Sequence, residues 1–265
     1  MNPFHLAAAF SSGAVVEEIL KAEKSADDAD TCRAIKTQDS EGKSPLHFAA
    51  RYSKRADVLQ LLIKWGADLE ARDDENQWTP LFFATRFYAS ADVIRVLIEN
   101  GAVVDARDNQ QRTPLHWAAC YNHSADVIRV LVEAGADVHA CDNFQYTPFH
   151  MAAENNLAEV IRTLVDKGAD VDARADNQKT PLHLAARCNP SADVIRALVD
   201  ADADLDALDN DQWTPLHVAA YRNHREAIIA LCQAGAKPNL GKNPLDDPDV
   251  DDEMKTLIRE NCSSL

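Results

Sequence analysis

The chain has no glycine-rich loop of the kind that cradles a phosphate or a dinucleotide. Gly42-Lys43-Ser44 ends like a phosphate loop, but the motif's first glycine would fall at position 37, which is Thr37. Gly-x-Ser-x-Gly and His-Glu-x-x-His are absent too, so an enzyme is not expected and no cofactor is implied. Basic residues are scarce: 27 Lys and Arg stand against 43 Asp and Glu, a formal charge of −16. Such a field repels nucleic acid and anionic membrane surfaces, so neither is expected as a partner. The six cysteines (Cys32, Cys120, Cys141, Cys188, Cys232, Cys262) include no Cys-x-x-Cys pair and no regular spacing. That pattern favours reduced thiols over a disulfide framework or a metal site. Apolar runs of about 18 residues or more are missing, and Met1 to Gly13 has neither a basic start nor a long apolar stretch. The expectation is an intracellular protein, cytoplasmic or nucleocytoplasmic, without a membrane span.

What the chain does have is a clock. Prolines recur at 45, 80, 114, 148, 181 and 215, spaced 35, 34, 34, 33 and 34 residues apart. Each opens a segment like Thr113-Pro114-Leu115-His116-Trp117-Ala118-Ala119, in which Thr113 can cap a helix start and Pro114 suits the first helical position. Leu115 with Ala118 and Ala119 adds a small apolar face. The same seven positions run from Ser44, Thr79, Thr147, Thr180 and Thr214, with a partial copy at Pro3 to Ala8. A second apolar helix follows each time. In the fourth unit it starts at Ser124, a candidate cap, and carries Val127, Ile128, Leu131 and Val132 on one side before Gly135 stops it. Equal units that contact only their neighbours escape the size limit of a single core, so one elongated domain is expected.

The heptad and its period resemble ankyrin repeats, a family read from these two features together. The resemblance implies an all-α ankyrin-repeat solenoid of about seven repeats plus a C-terminal capping helix. Its divisions are a capping repeat with an acidic insertion at 1–38, six repeats at 39–73, 74–107, 108–141, 142–174, 175–208 and 209–240, and a cap at 241–265. In the first unit Val15, Val16, Ile19 and Leu20 form one face, and 23–38 is read as a partly helical extension. The chain departs from the family in three places. Gln77, Gln111, Gln145, Gln178 and Gln212 stand where a turn glycine is usual, kept only at Gly42. Asp202 replaces the helix-ending glycine of the sixth unit, which predicts a local weakness. No glycine separates the two helices of a unit.

The histidines at 5, 47, 116, 150, 183 and 217 share one heptad position, occupied by Phe82 in the third unit. The resemblance implies that they link neighbouring turns, and a periodic group makes a poor general base. It further implies that a partner lies along the concave side, against the residue before each cap and the two residues after each heptad. Of those 18 positions seven are basic, seven aromatic and one acidic, the reverse of the bulk composition. Lys43, Tyr52, Trp78, Arg86, Phe87, Arg112, Tyr121, Tyr146, Lys179, Arg187, Trp213, Tyr221 and Arg222 are therefore the candidate partner-binding residues, with Trp78, Tyr121, Tyr146 and Trp213 as anchors. The functional expectation is a monomeric, non-catalytic scaffold, adaptor or inhibitor that binds an acidic or extended protein segment. The alternative is a signalling or host-interaction effector gated by ligand or redox chemistry at Cys120 and Cys188.

Overall fold

A computed structural model describes residues 3–24, 35–53, 55–87, 90–122, 124–155, 158–188 and 192–262. Among them every regular element is a helix. The chain divides into two compact units, Met1–Asp137 and Val138–Leu265. The first holds α1 (Pro3–Phe10), α2 (Gly13–Lys24), α3 (Pro45–Tyr52), α4 (Ala56–Lys64), α5 (Pro80–Arg86), α6 (Ala91–Glu99), α7 (Pro114–Tyr121) and α8 (Ala125–Glu133). The second holds α9 (Pro148–Glu154), α10 (Ala158–Asp166), α11 (Pro181–Cys188), α12 (Ala192–Val199), α13 (Pro215–Tyr221), α14 (Arg225–Ala234) and α15 (Asp252–Asn261). Inside each unit the proline-led helices pack on one another, and so do the second helices. Most of the expected extension at 23–38, and parts of the helix-to-helix connections (54, 88–89, 123, 156–157 and 189–191), lie outside the described residues.

Four of the proline-led helices, α3, α7, α9 and α11, start by the same chemistry, whereas in α13 the His217 Nδ1 bonds Lys242 O instead. Ser44 donates its backbone N–H to His47 Nδ1 at 3.0 Å and its hydroxyl to the same atom at 2.9 Å. Thr113 with His116, Thr147 with His150 and Thr180 with His183 repeat the pattern. The imidazole thus plays the part that Glu plays in a capping box, satisfying a helix-start amide. With Nδ1 accepting, Nε2 carries the proton and donates to a carbonyl of the next turn: His5 to Lys43 O, His47 to Trp78 O, His150 to Lys179 O and His183 to Trp213 O, all between 2.9 and 3.2 Å. Burial drives the pKa of His47, His150 and His183 below the ordinary imidazole value, His150 to about 4. These histidines are neutral structural links.

Phe82 cannot make that link, and Thr79 Oγ1 is left buried without a hydrogen-bond partner. A different bridge stands there. Trp78 Nε1 and Trp117 Nε1 both donate to Asp108 Oδ2, at 3.2 and 3.0 Å, while Asp108 Oδ1 accepts from the amides of Gln110 and Arg112. A buried carboxylate holding four N–H groups replaces one imidazole.

The five turn glutamines have φ between 60 and 63°. In the repeat at 108–141 Gln111 N–H donates to Asp108 O and Asp108 N–H to Arg112 O, a hairpin that needs a left-handed residue ahead of the cap. Arginine braces the strained carbonyls: Arg72 bonds Gln77 O, Arg107 bonds Gln111 O and Arg174 bonds Gln178 O. Asp202 is left-handed too, at φ 62°.

Three expectations need correction. Ser124 precedes α8 in extended conformation but its side chain makes no capping bond. In the helix faces Val132 is half-exposed while Val130 is buried, and Val15 is exposed where Val16 and Leu20 are buried. Cys232 and Cys262 form a disulfide rather than staying reduced. The pair escapes a spacing argument because 30 residues separate it, and only the docking of α15 on α14, through Met254, Leu257 and Ile258, brings the sulfurs together. A disulfide belongs to an oxidising environment, so cysteine usage no longer supports an intracellular setting.

Candidate functional site

Tyr52, Arg86, Phe87 and Tyr121 lie at the C-terminal ends of α3, α5 and α7, beside Phe10 at the end of α1, while Lys43, Trp78 and Arg112 precede the starts of α3, α5 and α7. Phe10 is 72% exposed and its ring lies 5.4 Å from that of Tyr52, itself 41% exposed. The Arg51 guanidinium sits 4.8 Å from the Tyr52 centroid and 4.1 Å from that of Phe87. Arg86 sits 5.3 Å from Phe87 and 3.5 Å from Tyr121. Tyr121 stacks on Trp117 at 5.6 Å, and Arg112 lies 5.4 Å from the Trp117 ring. Cations and rings therefore alternate along one ladder, each contact worth about 0.5–2 kcal/mol depending on how dry it is. The ladder arises because two successive repeats end their first helix in an Arg-aromatic pair, Arg51-Tyr52 and Arg86-Phe87, and the next ends in Cys120-Tyr121, so stacking places one pair beside the next.

Next to Arg51 lies a cavity of about 240 Å³ lined by Lys43, His47, Phe48, Tyr52 and Phe83, with Asp39 and Glu41 at its acidic wall. Those acids are already engaged. Burial raises the Asp39 carboxyl, but the amides of Glu41 and Lys43 outweigh it and hold it below the ordinary range. Glu41 pairs with the Lys43 ammonium.

Trp78 has to leave the list of anchors. It is 8% exposed, stacks on Phe82, meets Trp117 edge to face at 4.8 Å and spends its N–H on Asp108. The remaining first-unit candidates, Lys43, Arg86, Phe87, Arg112 and Tyr121, are half-buried.

The second unit differs. Arg187 is taken by Glu154 at 2.7 Å, and the exposed Cys188 lies 3.3 Å from Arg187 Nε. Trp213 stacks on His217 at 4.5 Å and leans on Tyr221, which is 40% exposed. Tyr146 packs edge to face on His150, Lys179 is half-buried near Asp209, and Arg222 is exposed. The second unit thus presents scattered aromatics without the alternating ladder. Cys120, the other thiol of interest, is half-buried beside Tyr121, whose hydroxyl burial and the neighbouring thiol push above its usual pKa.

Arg51 is one of the seven basic residues in the helix-end and pre-cap rows but is absent from the candidates, which include Tyr52, Arg86, Phe87 and Tyr121, and Phe10, which ends the degenerate first copy, lies outside those rows. Trp117 was hidden inside the heptad. No cluster of His, Cys, Asp or Glu fit to hold a metal occurs among the described residues, and no described helix is long and apolar enough to cross a membrane. A family model described as ankyrin repeats in three copies matches the chain at residues 1–73, 70–142, 104–175, 126–209 and 149–242. A search of curated proteins found no match.

Proposed function

The chain belongs to the ankyrin-repeat family, and from that premise we propose that it is a non-catalytic binding protein that docks a protein partner on the ladder of Tyr52, Arg51, Phe87, Arg86 and Tyr121. Repeats of this family generally serve protein–protein interaction and typically carry no catalysis. The observation that supports this face is compositional and geometric at once. In a protein of charge −16, cations and aromatic rings alternate along one line of helix ends. Arg and aromatic side chains are the ones that anchor interfaces, because they offer much contact area per frozen rotor. The partner that fits is an acidic or extended segment. Lys43 and Arg112 flank the ladder, and Tyr146, Lys179, Arg187, Trp213, Tyr221 and Arg222 are the second unit's candidates. Scaffold, adaptor and inhibitor roles all use such a face.

The test is affinity capture with the full chain, its Tyr52→Ala/Tyr121→Ala variant, and an Arg95→Ala/Arg129→Ala variant of the second helices. Partners held by the wild type and by the second-helix variant, but lost by the ladder variant, support the reading. Identical capture by all three contradicts it.

A further inference from the structure

Resting on that binding reading, we infer that Arg51 and Arg86 form a paired carboxylate receptor, which takes two acidic side chains at alternate positions of one extended peptide. The argument begins with how the guanidinium groups are held. Phe87 lies 4.1 Å from Arg51 and 5.3 Å from Arg86, and the rings of Tyr52 and Tyr121 lie 4.8 Å from Arg51 and 3.5 Å from Arg86 respectively. A guanidinium gripped by ring faces keeps its N–H edge for an in-plane acceptor, and a carboxylate matches that edge with two parallel bonds. The side-chain entropy that a flexible cation loses on binding is already lost here.

Neither cation has an acidic partner among the described residues, although acids outnumber bases 43 to 27 in the chain. The nearest acidic wall, Asp39 and Glu41, is consumed by the amides of its own turn and by Lys43. In the second unit the same register gives the opposite outcome, since Glu154 occupies the Arg187 guanidinium. The vacancy is thus a property of the first unit's ladder.

Spacing selects the partner. Measured from one Phe87 centroid, the two guanidinium carbons are within about 9.4 Å of each other. Alternate residues of an extended chain point the same way and rise about 6.6 Å, a span that two carboxylates with flexible stems can match. Helical spacing of three or four residues would also bring two acids near, but a helix presents its whole width to a face already ridged by half-buried rings. The cavity beside Arg51, with Phe48, Tyr52 and Phe83 in its wall, takes one bulky apolar side chain next to the acidic pair. The sequence class is therefore acidic-x-acidic beside one large apolar residue.

The experiment is a random-peptide display selection on the full chain, followed by affinity measurement of synthetic winners. Winners carrying two acids at alternate positions, weakened at least tenfold by changing both acids to amides and by Arg51→Met/Arg86→Met, support the inference. Arg51→Lys/Arg86→Lys, which keeps the charge and removes the planar fork, recovers only part of that loss; full recovery would overturn the stacked receptor in favour of simple charge. Ellipticity shows whether each variant is folded, and the amide peptides carry the test should the methionine variant unfold. Winners without acids that still need Tyr52 and Tyr121 overturn the carboxylate receptor and leave the binding face standing. Winners indifferent to every ladder variant, or no winners, overturn both.

Discussion

Acid should loosen this protein through its structural histidines, and His150 gives the magnitude. Its Nδ1 accepts from Thr147 and its Nε2 donates to Lys179 O, so a second proton has no place without breaking the helix start. Burial holds its pKa at about 4, against about 6.5 in an unfolded chain. Between those values the unfolded state binds more protons than the folded one, so stability rises with pH. The contribution is fully present above about pH 6.5 and is lost as pH falls toward 4. A gap of about 2.5 units corresponds to roughly 3 kcal/mol, most of it gone by about pH 4.5. His47 and His183 are shifted in the same direction and add losses of the same sign. Carboxylates also titrate in this range, so the informative quantity is a difference between two chains. His150→Phe copies what the chain itself carries at Phe82 and removes the proton site. At neutral pH it is less stable, since Lys179 O loses a donor. Urea unfolding at steps from pH 7.5 to 4.5 should show the two chains converging by about 2–3 kcal/mol. Parallel curves, or a His150 ring titrating near 6.5 by NMR, would refute the reasoning.

Other outcomes follow from single sites. Trp78→Ala should lower stability by about 3–5 kcal/mol, as removal of a buried ring that also bridges to Asp108 does; Tyr121→Ala should cost far less, and equal denaturation midpoints would count against the assignment of Trp78 to the core. Asp202→Gly should relieve a left-handed residue at φ 62° and gain about 1 kcal/mol, a rise of roughly 2–4 °C in melting temperature. An unchanged melt would mean that the aspartate is not strained. Reducing the Cys232–Cys262 bond opens a 30-residue loop and should destabilise the second unit by about 3–4 kcal/mol in the chain-entropy account. Thermal melts that coincide with and without a dithiol would contradict that figure.

The architecture was legible because period, cap and apolar face are local and repeat. Thr-Pro, His at the fourth position and the helix-ending glycines each point to the same unit, and the capping imidazoles follow from them. The turn glutamines were visible only as missing glycines. Their left-handed geometry is supported by Arg72, Arg107 and Arg174, whose reach into the turn no linear pattern reveals. Trp78 and Trp213 occupy the same register and differ in burial. Trp78 has Phe82 in the helix that follows it and finds Trp117 and Asp108 in the next repeat, whereas Trp213 is half-buried, stacks on His217, and its buried Nε1 has no hydrogen-bond partner among the described residues. Register names the row that a side chain occupies, and the neighbouring repeat determines whether it faces solvent. Arg51 and Arg86 became distinguishable from Arg187 only once Glu154 was seen to occupy the latter.

The face itself is most directly examined by amide hydrogen exchange of the full chain with and without a partner obtained by affinity capture. Slowed exchange confined to the ends of α3, α5 and α7, around residues 48–52, 83–87 and 117–121, is the predicted footprint. Protection confined to α4, α6 and α8, with those segments unchanged, would contradict the account.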